Sequence, residues 1–393
     1  MRTLDELART PNALAAHYAR FRVGERLLLT GHSHQAWPDV AFEGQDEKWS
    51  RAEEKAERVR RGYARLLGDR DGVIALGQNT HELLLRFLSA LPLRDRPRLV
   101  TTDGEFHTIR RQLDRLAEDR WLEVMKVAAE PAGSLAGRLA GGVNSRTAAV
   151  LTSSVLYATA HIVPGLGEVA ETCRREGAEL LVDVYHHLNV VPFSLAWLGL
   201  EDAFVIGGGY KYCQLGEGNC FLRVPPGRTH VRPVVTGWFG EFARLAERAP
   251  GVVPYGDGPA RWAGATYDPT SHYRAARVLD FFESQGLTPE FLREVSQHQV
   301  GLLGARFDAL ELGEALTRDR SVPLERTGGF LALRGQRAFE LSERLRRGGV
   351  LTDARGEWLR LGPAPYLSDG QLHAAMDALD RVARDRPHEG AQA

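Results

Sequence analysis

Two apolar runs each end on one ionisable residue. "LLVDVYHH" (180–187) runs into Asp183, and "AFVIGGGYK" (203–211) runs into Lys211. A deprotonated amine attacks carbonyl carbon, and a desolvated pocket is what removes its proton near neutral pH. A carboxylate can hold a heterocyclic nitrogen protonated, which makes an aromatic ring an electron sink. Both residues stand where strands end, the edge at which open α/β sheets bind ligands. Taken alone, Asp183 reads equally well as a turn cap. Together with Lys211 it predicts chemistry on a flat ring bearing an aldehyde. The dense glycines of "GGGYKYCQLGEGNC" (207–220) predict space cleared around the lysine for such a ring. The only lysines are Lys48, Lys55, Lys126 and Lys211, and of these Lys211 has the apolar, glycine-rich setting.

Pyridoxal phosphate (PLP) is a ring of this kind, and its phosphate needs a cradle. "LGQNTHELL" (76–84) reads as strand, turn and helix start, where exposed N–H groups and the helix dipole favour an anion. Asn79 and Thr80 are the candidate phosphate ligands, although both also serve as plain helix caps. Phe106, in "DGEFHT" (103–108), is the candidate ring-stacking face.

These residues need a scaffold. From residue 72 the chain alternates short apolar strands with helices, which predicts a mostly parallel sheet between helices over roughly 70 to 225. Residues 1–24 and 39–68 read as helices, 226–270 as loop-rich, and 271–286 and 288–312 as helices. The last stretch alternates strand and helix, and "RPHEGAQA" reads as a frayed tail. The expected division is an N-terminal segment, 1–40, joining the small domain; a large α/β domain, 41–270; and a small α+β domain, 271–393. The 393 residues carry a net charge of −1, which offers nothing to nucleic acid or an anionic membrane. No apolar run is long enough to span a bilayer. Cys173, Cys213 and Cys220 lack metal-like spacing, so no metal is expected, and an odd cysteine count without a signal peptide predicts a cytoplasmic protein.

The motifs together resemble the fold-type I PLP enzymes, in the class V aminotransferase branch, and within it the kynureninases. The matching stretches are "LVDVYHHLNVVPFSL", "GGGYKYCQLGEGNCFLRV", "GWFGE" and "WLRLGPAPYLSDGQL". The resemblance runs from about residue 25 to 385. It implies a PLP-transferase fold with a seven-stranded-type sheet and a smaller C-terminal α+β domain. It also implies that Lys211 carries the cofactor and shuttles protons, that Asp183 pairs with the pyridine nitrogen, and that His186 lies beside the ring or phosphate. Tyr210 is implied as a phosphate donor with a catalytic part, and Trp238 and Thr266 as residues reaching the partner subunit's cofactor in a homodimer, with Trp238 also expected to bind substrate. Arg360 is implied to grip the substrate α-carboxylate through two parallel hydrogen bonds.

The implied reaction is hydrolytic cleavage of the Cβ–Cγ bond of kynurenine, or a ring-hydroxylated or related amino acid, to an anthranilate-type product and alanine. The chain departs from the pattern in "GHSHQAW" (31–37), at Ile109, and in "YATA" (157–160). These positions are expected near the substrate end, where His32, His34 and Trp37 read equally well as pocket-lining residues or as a turn packed by its own side chains. Another class V reaction, such as transamination or epimerisation, stays open. Cysteine desulfuration is disfavoured because no cysteine follows Cys220. A non-enzymatic PLP-binding regulator is the rival from another class, and Lys211, Asp183, Thr80 and Arg360 together argue against it.

Overall fold

The computed structural model describes residues 2–32, 35–42, 51–246, 251–313 and 315–385. Near the N-terminus, the expected single helix is broken. Helix α1 (Leu4–Ala8) has a Thr3–Glu6 capping box, and a separate 3-10 segment covers Ala15–Phe21. Pro11 explains the break, because it has no N–H to donate and disfavours helix in the residue before it. Strand β1 (Leu27–Leu28) follows. The helix expected over 39–68 is a 3-10 turn, Asp39–Phe42, and helix α2 (Ala52–Leu67), stopped by Gly68 at φ 62°.

The apolar runs from residue 72 onward build one seven-stranded sheet. Its strands are β2 (Val73–Gly77), β3 (Arg98–Thr102), β4 (Glu123–Val127), β5 (Thr147–Ser153), β6 (Glu179–Asp183), β7 (Phe204–Gly208) and β8 (Cys220–Val224). The spatial order is β2-β8-β7-β6-β5-β3-β4. Only β8 is antiparallel to its neighbours, β7 and β2. Every residue of β5 is buried, as a parallel strand covered on both faces must be. The intervening helices include α3 (Thr80–Ala90), α4 (His107–Glu118), α5 (Leu135–Gly142), α6 (Leu166–Glu176) and the single turn α7 (Leu195–Leu198). Helix α5 is absent from the sequence reading; its "LAGRLAGG" is rich in glycine, the poorest helix former after proline.

Helices α8 (Thr270–Gln285) and α9 (Pro289–Leu310) lead into the C-terminal elements. These are β9 (Leu331–Arg334), α10 (Ala338–Arg347), β10 (Val350–Leu351), β11 (Asp353–Arg355), β12 (Trp358–Leu361) and α11 (Asp369–Arg384). Strands β11, β12 and β9 form an antiparallel sheet. The N-terminal segment is stitched to this region: β1 pairs with β10, and Asn12 Nδ2 donates to the carbonyls of Pro365 and Leu367. The tail "RPHEGAQA" lies outside the described residues. No described helix is long and apolar enough to cross a membrane.

One buried ion pair ties α2 to the sheet. Arg223 of β8 is 2% exposed and donates through Nε and Nη2 to Asp69 at 2.9 and 3.1 Å, with Nη1 on the carbonyls of Glu201 and Ala203. Removing one partner strands the other charge without water. Asp69→Asn is expected to destabilise the protein by about 3–5 kcal/mol, read as a lowered midpoint in chemical denaturation; an unchanged midpoint would refute this.

Candidate active site

Asp183 is the last residue of β6, and Lys211 lies just beyond β7 on the parallel neighbour, so the sheet brings them to one edge. The Asp183 carboxylate accepts from the Tyr185 N–H at 2.8 Å. Lys211 is held in a tight turn: Gln214 N–H donates to the Lys211 carbonyl, Leu215 N–H donates to the Gly209 carbonyl, and Gln214 takes φ 56°. The lysine is buried. Its Nζ is 2.5 Å from His186 Nε2, 4.8 Å from the Tyr185 ring centroid and 5.3 Å from that of Phe106. Burial brings the Lys211 amine down to about 7, against the pull of Asp183, and Arg360 lowers it further. Burial also pushes Asp183 up, opposed by the Tyr185 N–H and by Lys211. His186 is held well below the ordinary imidazole range by burial first and then by Lys211, so it is neutral.

These groups line a cavity of about 270 Å3, together with Asn79, Thr80, Tyr157 and Tyr210. Asn79 is the N-cap of α3 and accepts from the Glu82 N–H at 2.9 Å, while Glu82 accepts from the Gln78 N–H. Two backbone N–H groups of the expected cradle, those of Gln78 and Glu82, are therefore already engaged within the turn. Burial pushes the Tyr210 phenol up to about 12, and its ring lies 4.9 Å from that of Tyr185.

The glycines before Lys211 serve a different purpose from the one read in the sequence. A Cβ on Gly207 would meet the Phe221 ring, one on Gly208 the Tyr185 ring, and one on Gly209 Leu215 and the Tyr63 hydroxyl. The cleared space is filled by protein aromatics that support the lysine, not left open for a ring. Ile109 also departs from expectation. It packs in the core with Leu83, Leu84 and Leu113 and does not line this cavity.

Arg360, on β12, is buried in its own cluster. Nη1 donates to the Tyr157 carbonyl at 2.5 Å and Nη2 to Asp353 Oδ2 at 2.8 Å. Phe330 packs against Arg360 at 5.5 Å, His186 at 5.8 Å and His32 at 4.9 Å, and so joins this cluster to Lys211. His32 is fully buried, 3.8 Å from Asp353, and belongs to the arginine cluster; it does not line the lysine cavity. Trp37 packs on Phe21 and the Arg274 guanidinium, away from both. His34 lies outside the described residues. Trp238 is 44% exposed, on a 3-10 segment with Phe239 and Phe242. Thr266 lines a separate cavity of about 590 Å3 with Phe239 and Phe242, and Gln78 borders both cavities. Within one chain, neither Trp238 nor Thr266 joins Lys211.

Four site residues are missing from the sequence reading. Tyr185, two residues past Asp183, carried a signal: it is an aromatic at a strand's carboxyl end. Tyr157 lies in "YATA", one of the stretches that depart from the family pattern. Asp353 meets Arg360 only through the β11–β12 register, in which the two face each other. Glu105 is buried behind the site and accepts from Ser153 Oγ at 2.6 Å and Thr102 Oγ1 at 2.8 Å; burial raises it to about 7.

No family model matches the chain. A kynureninase from Xanthomonas campestris pv. campestris is 26% identical over 350 residues, covering 83% of this chain and 80% of that protein. An isopenicillin N epimerase from Streptomyces clavuligerus is 25% identical, covering 82% and 83%. An uncharacterised aminotransferase from Bacillus subtilis is 22% identical, covering 84% and 85%. Among solved structures, the cysteine desulfurase CsdA from Escherichia coli superposes with a TM-score of 0.78 at 15% identity, over 97% of this chain and 98% of that one. A C-DES variant with glycine covalently linked to its PLP cofactor gives 0.76 at 14%, over 93% and 98%. The chain is a kynureninase-like protein of PLP fold type I. The site fits that cofactor: a buried amine, brought down to about 7 by burial, faces the cavity beside a carboxylate and an aromatic face, and His186 Nδ1 is buried there with no partner.

The low pKa of Lys211 has a measurable consequence in this kynureninase-like chain. Covalent capture of PLP by the apoprotein should quicken as pH rises and level off above about 7, since the unprotonated amine is the nucleophile and burial lowers its pKa. Stopped-flow absorbance reads this rate. A rate still climbing toward pH ~10, the range of an exposed lysine, would refute the assignment.

Proposed function

We propose that the chain is a PLP-dependent hydrolase that cleaves the Cβ–Cγ bond of L-kynurenine or a closely related amino acid, releasing an anthranilate-type product and alanine. The observation that carries this reading is the buried Lys211 amine in one cavity with Asp183, with buried Arg360 reached from it through His186 and Phe330. The similarity to kynureninases over most of the chain supports the choice of reaction. When bound, PLP supplies an aldehyde for the amino group and a ring that accepts the electron pair released at Cα.

The chain's own residues do the rest. The Thr80 hydroxyl and the α3 N-terminus would hold the phosphate, with Asn79 fixing the turn and Tyr210 and His186 as further neighbours. Phe106 would cover one face of the ring, and Asp183 would keep the ring nitrogen protonated. The Lys211 amine, near pKa 7, can take the Cα proton and return it, because a base works best when its pKa is close to the working pH. Arg360 would fix the substrate carboxylate and so orient the bonds at Cα. Attack of water on the γ-carbonyl then needs a proton donor and acceptor, and Tyr210 and His186 stand in the cavity for that work.

Trp238 and Thr266 are proposed to serve the site of a second copy. Support comes from the exposed apolar side chains Val234, Trp238, Phe242 and Val252 on the 226–270 loops, and from the cavity these loops border. Cysteine desulfuration is not proposed. The three thiols are buried, each is pushed up to about 12 mainly by burial, and no cysteine follows Cys220.

Two expectations test this reading. The purified holoenzyme mixed with L-kynurenine should release fluorescent anthranilate and alanine in equal amounts; consumption of a keto acid or loss of chirality without cleavage would instead identify a transaminase or an epimerase. Arg360→Gln should raise KM far more than it lowers kcat, by roughly thirtyfold for a lost charge-assisted contact of about 2 kcal/mol. An unchanged KM would remove Arg360 from substrate binding.

A further inference from the structure

The guanidinium assigned to the substrate carboxylate already faces an anion. Asp353 lies directly across the β11–β12 pair from Arg360, and its Oδ2 accepts from Arg360 Nη2 at 2.8 Å. Its other oxygen, Oδ1, is 3.2 Å from Arg355 Nη1. Asp353 and Arg355 are two positions apart on one strand, so both project from the same face of the hairpin. Asp353 is nearly buried, Arg360 is buried, and Arg355 is part-exposed at the rim. Arg360 Nε is buried and has no hydrogen-bond partner.

Charge counting gives this arrangement a purpose. Arg360 and Asp353 alone are neutral, and a substrate carboxylate entering beside them would leave one uncompensated negative charge in a desolvated place, which is costly. With Arg355 included, the cluster carries one positive charge, and an incoming carboxylate brings it to zero. The same positive excess extends into the site. Burial is the main cause of the lowered Lys211 and His107 values, and Arg360 and Arg355 both add to it.

We propose that Arg355 is the second cation that lets Arg360 accept an amino-acid carboxylate, with Asp353 shared between the two guanidiniums as their internal counter-ion. This rests on the proposed function, which puts the substrate carboxylate on Arg360. Arg355 is a positioning residue: it balances Asp353, and Arg360 makes the contact. Arg360 thereby keeps Asp353 for orientation while Nε and the remaining Nη protons stay available to the ligand. The substrate class that suits this cluster is an α-amino acid with a single carboxylate at this end.

The test titrates the PLP-loaded enzyme with L-alanine and, separately, with ethylamine, which lacks the carboxylate, and follows the absorbance change of the cofactor. Arg355→Gln is expected to weaken L-alanine roughly tenfold, as one partly exposed charge allows, and to leave ethylamine unchanged. Arg355→Gln combined with Asp353→Asn restores the single positive charge, and the L-alanine constant should return to within about twofold of wild type, the coupling expected of neighbouring charges. Arg355→Lys should stay near wild type and guards against a purely steric effect. Equal weakening of both amines, or a double variant no better than Arg355→Gln, would overturn the inference. A wild-type enzyme whose spectrum answers ethylamine but no amino acid would overturn the proposed function instead, and with it the carboxylate that this cluster is built to receive.

Discussion

A lysine can be kept inside a protein only by giving up its proton or by gaining an anion, because the ammonium loses its water on burial. Lys211 meets this constraint both ways at once. Burial makes it a weak base near pH 7, and Asp183 at the next strand end offers a partial counter-charge. His186, also stripped of its proton by burial, closes on the amine at 2.5 Å without placing a second cation beside it. The rest of the site can be understood as what is needed to hold this amine dry, easily deprotonated and pointed into a cavity.

The sheet supplies the position. Six of the seven strands run in one direction and present their carboxyl ends on one edge, and β6 and β7 are adjacent there, so residues far apart in the chain meet at that edge. The turn after β7 supplies the orientation, and the glycines admit the Tyr185 and Phe221 rings close to the backbone. A side chain at Gly208 would displace Tyr185, and Tyr185 packs on the lysine. The rigidity of the amine is therefore bought with glycine's lack of a side chain. Behind this layer, Glu105 ties Ser153 and Thr102 together under the strand end that pairs with Asp183.

Charge is arranged in two tiers around Phe330. On one side stand the lysine, the neutral histidine and the aspartate. On the other, Arg360, Asp353 and Arg355 keep one positive charge in excess. An amino acid has the complementary pattern, with an amine at one end and a carboxylate at the other.

Much of this was legible in the residues. Asp183 and Lys211 end apolar strands whose lengths and flanking helices declare a parallel sheet, and burial of both follows from that placement. Asn79, Thr80 and Phe106 open helices after strands, so their presence at the same edge follows from the same rule. Other features were not legible. The helix break at Pro11 is readable from the proline itself, whereas α5 is hidden by its glycines. The purpose of the glycines at 207–209 depends on what packs against them, and no local pattern names Phe221 or Tyr185 as that neighbour. The sequence leaves His32 open between pocket lining and local packing, and the fold packs it against Phe330 and near Asp353, in the arginine cluster.

The sequence by itself determined the strands, the helix starts and the two ionisable residues that stand at strand ends, because hydrophobic period and capping are local properties of the chain. Tertiary structure alone decided which groups share a dielectric environment. It set the amine of Lys211 near 7, put Asp353 and Arg355 beside Arg360, and kept Trp238 and Thr266 away from the lysine of their own chain. Those outcomes depend on through-space distance and on exclusion of water, and neither is written in the order of the residues.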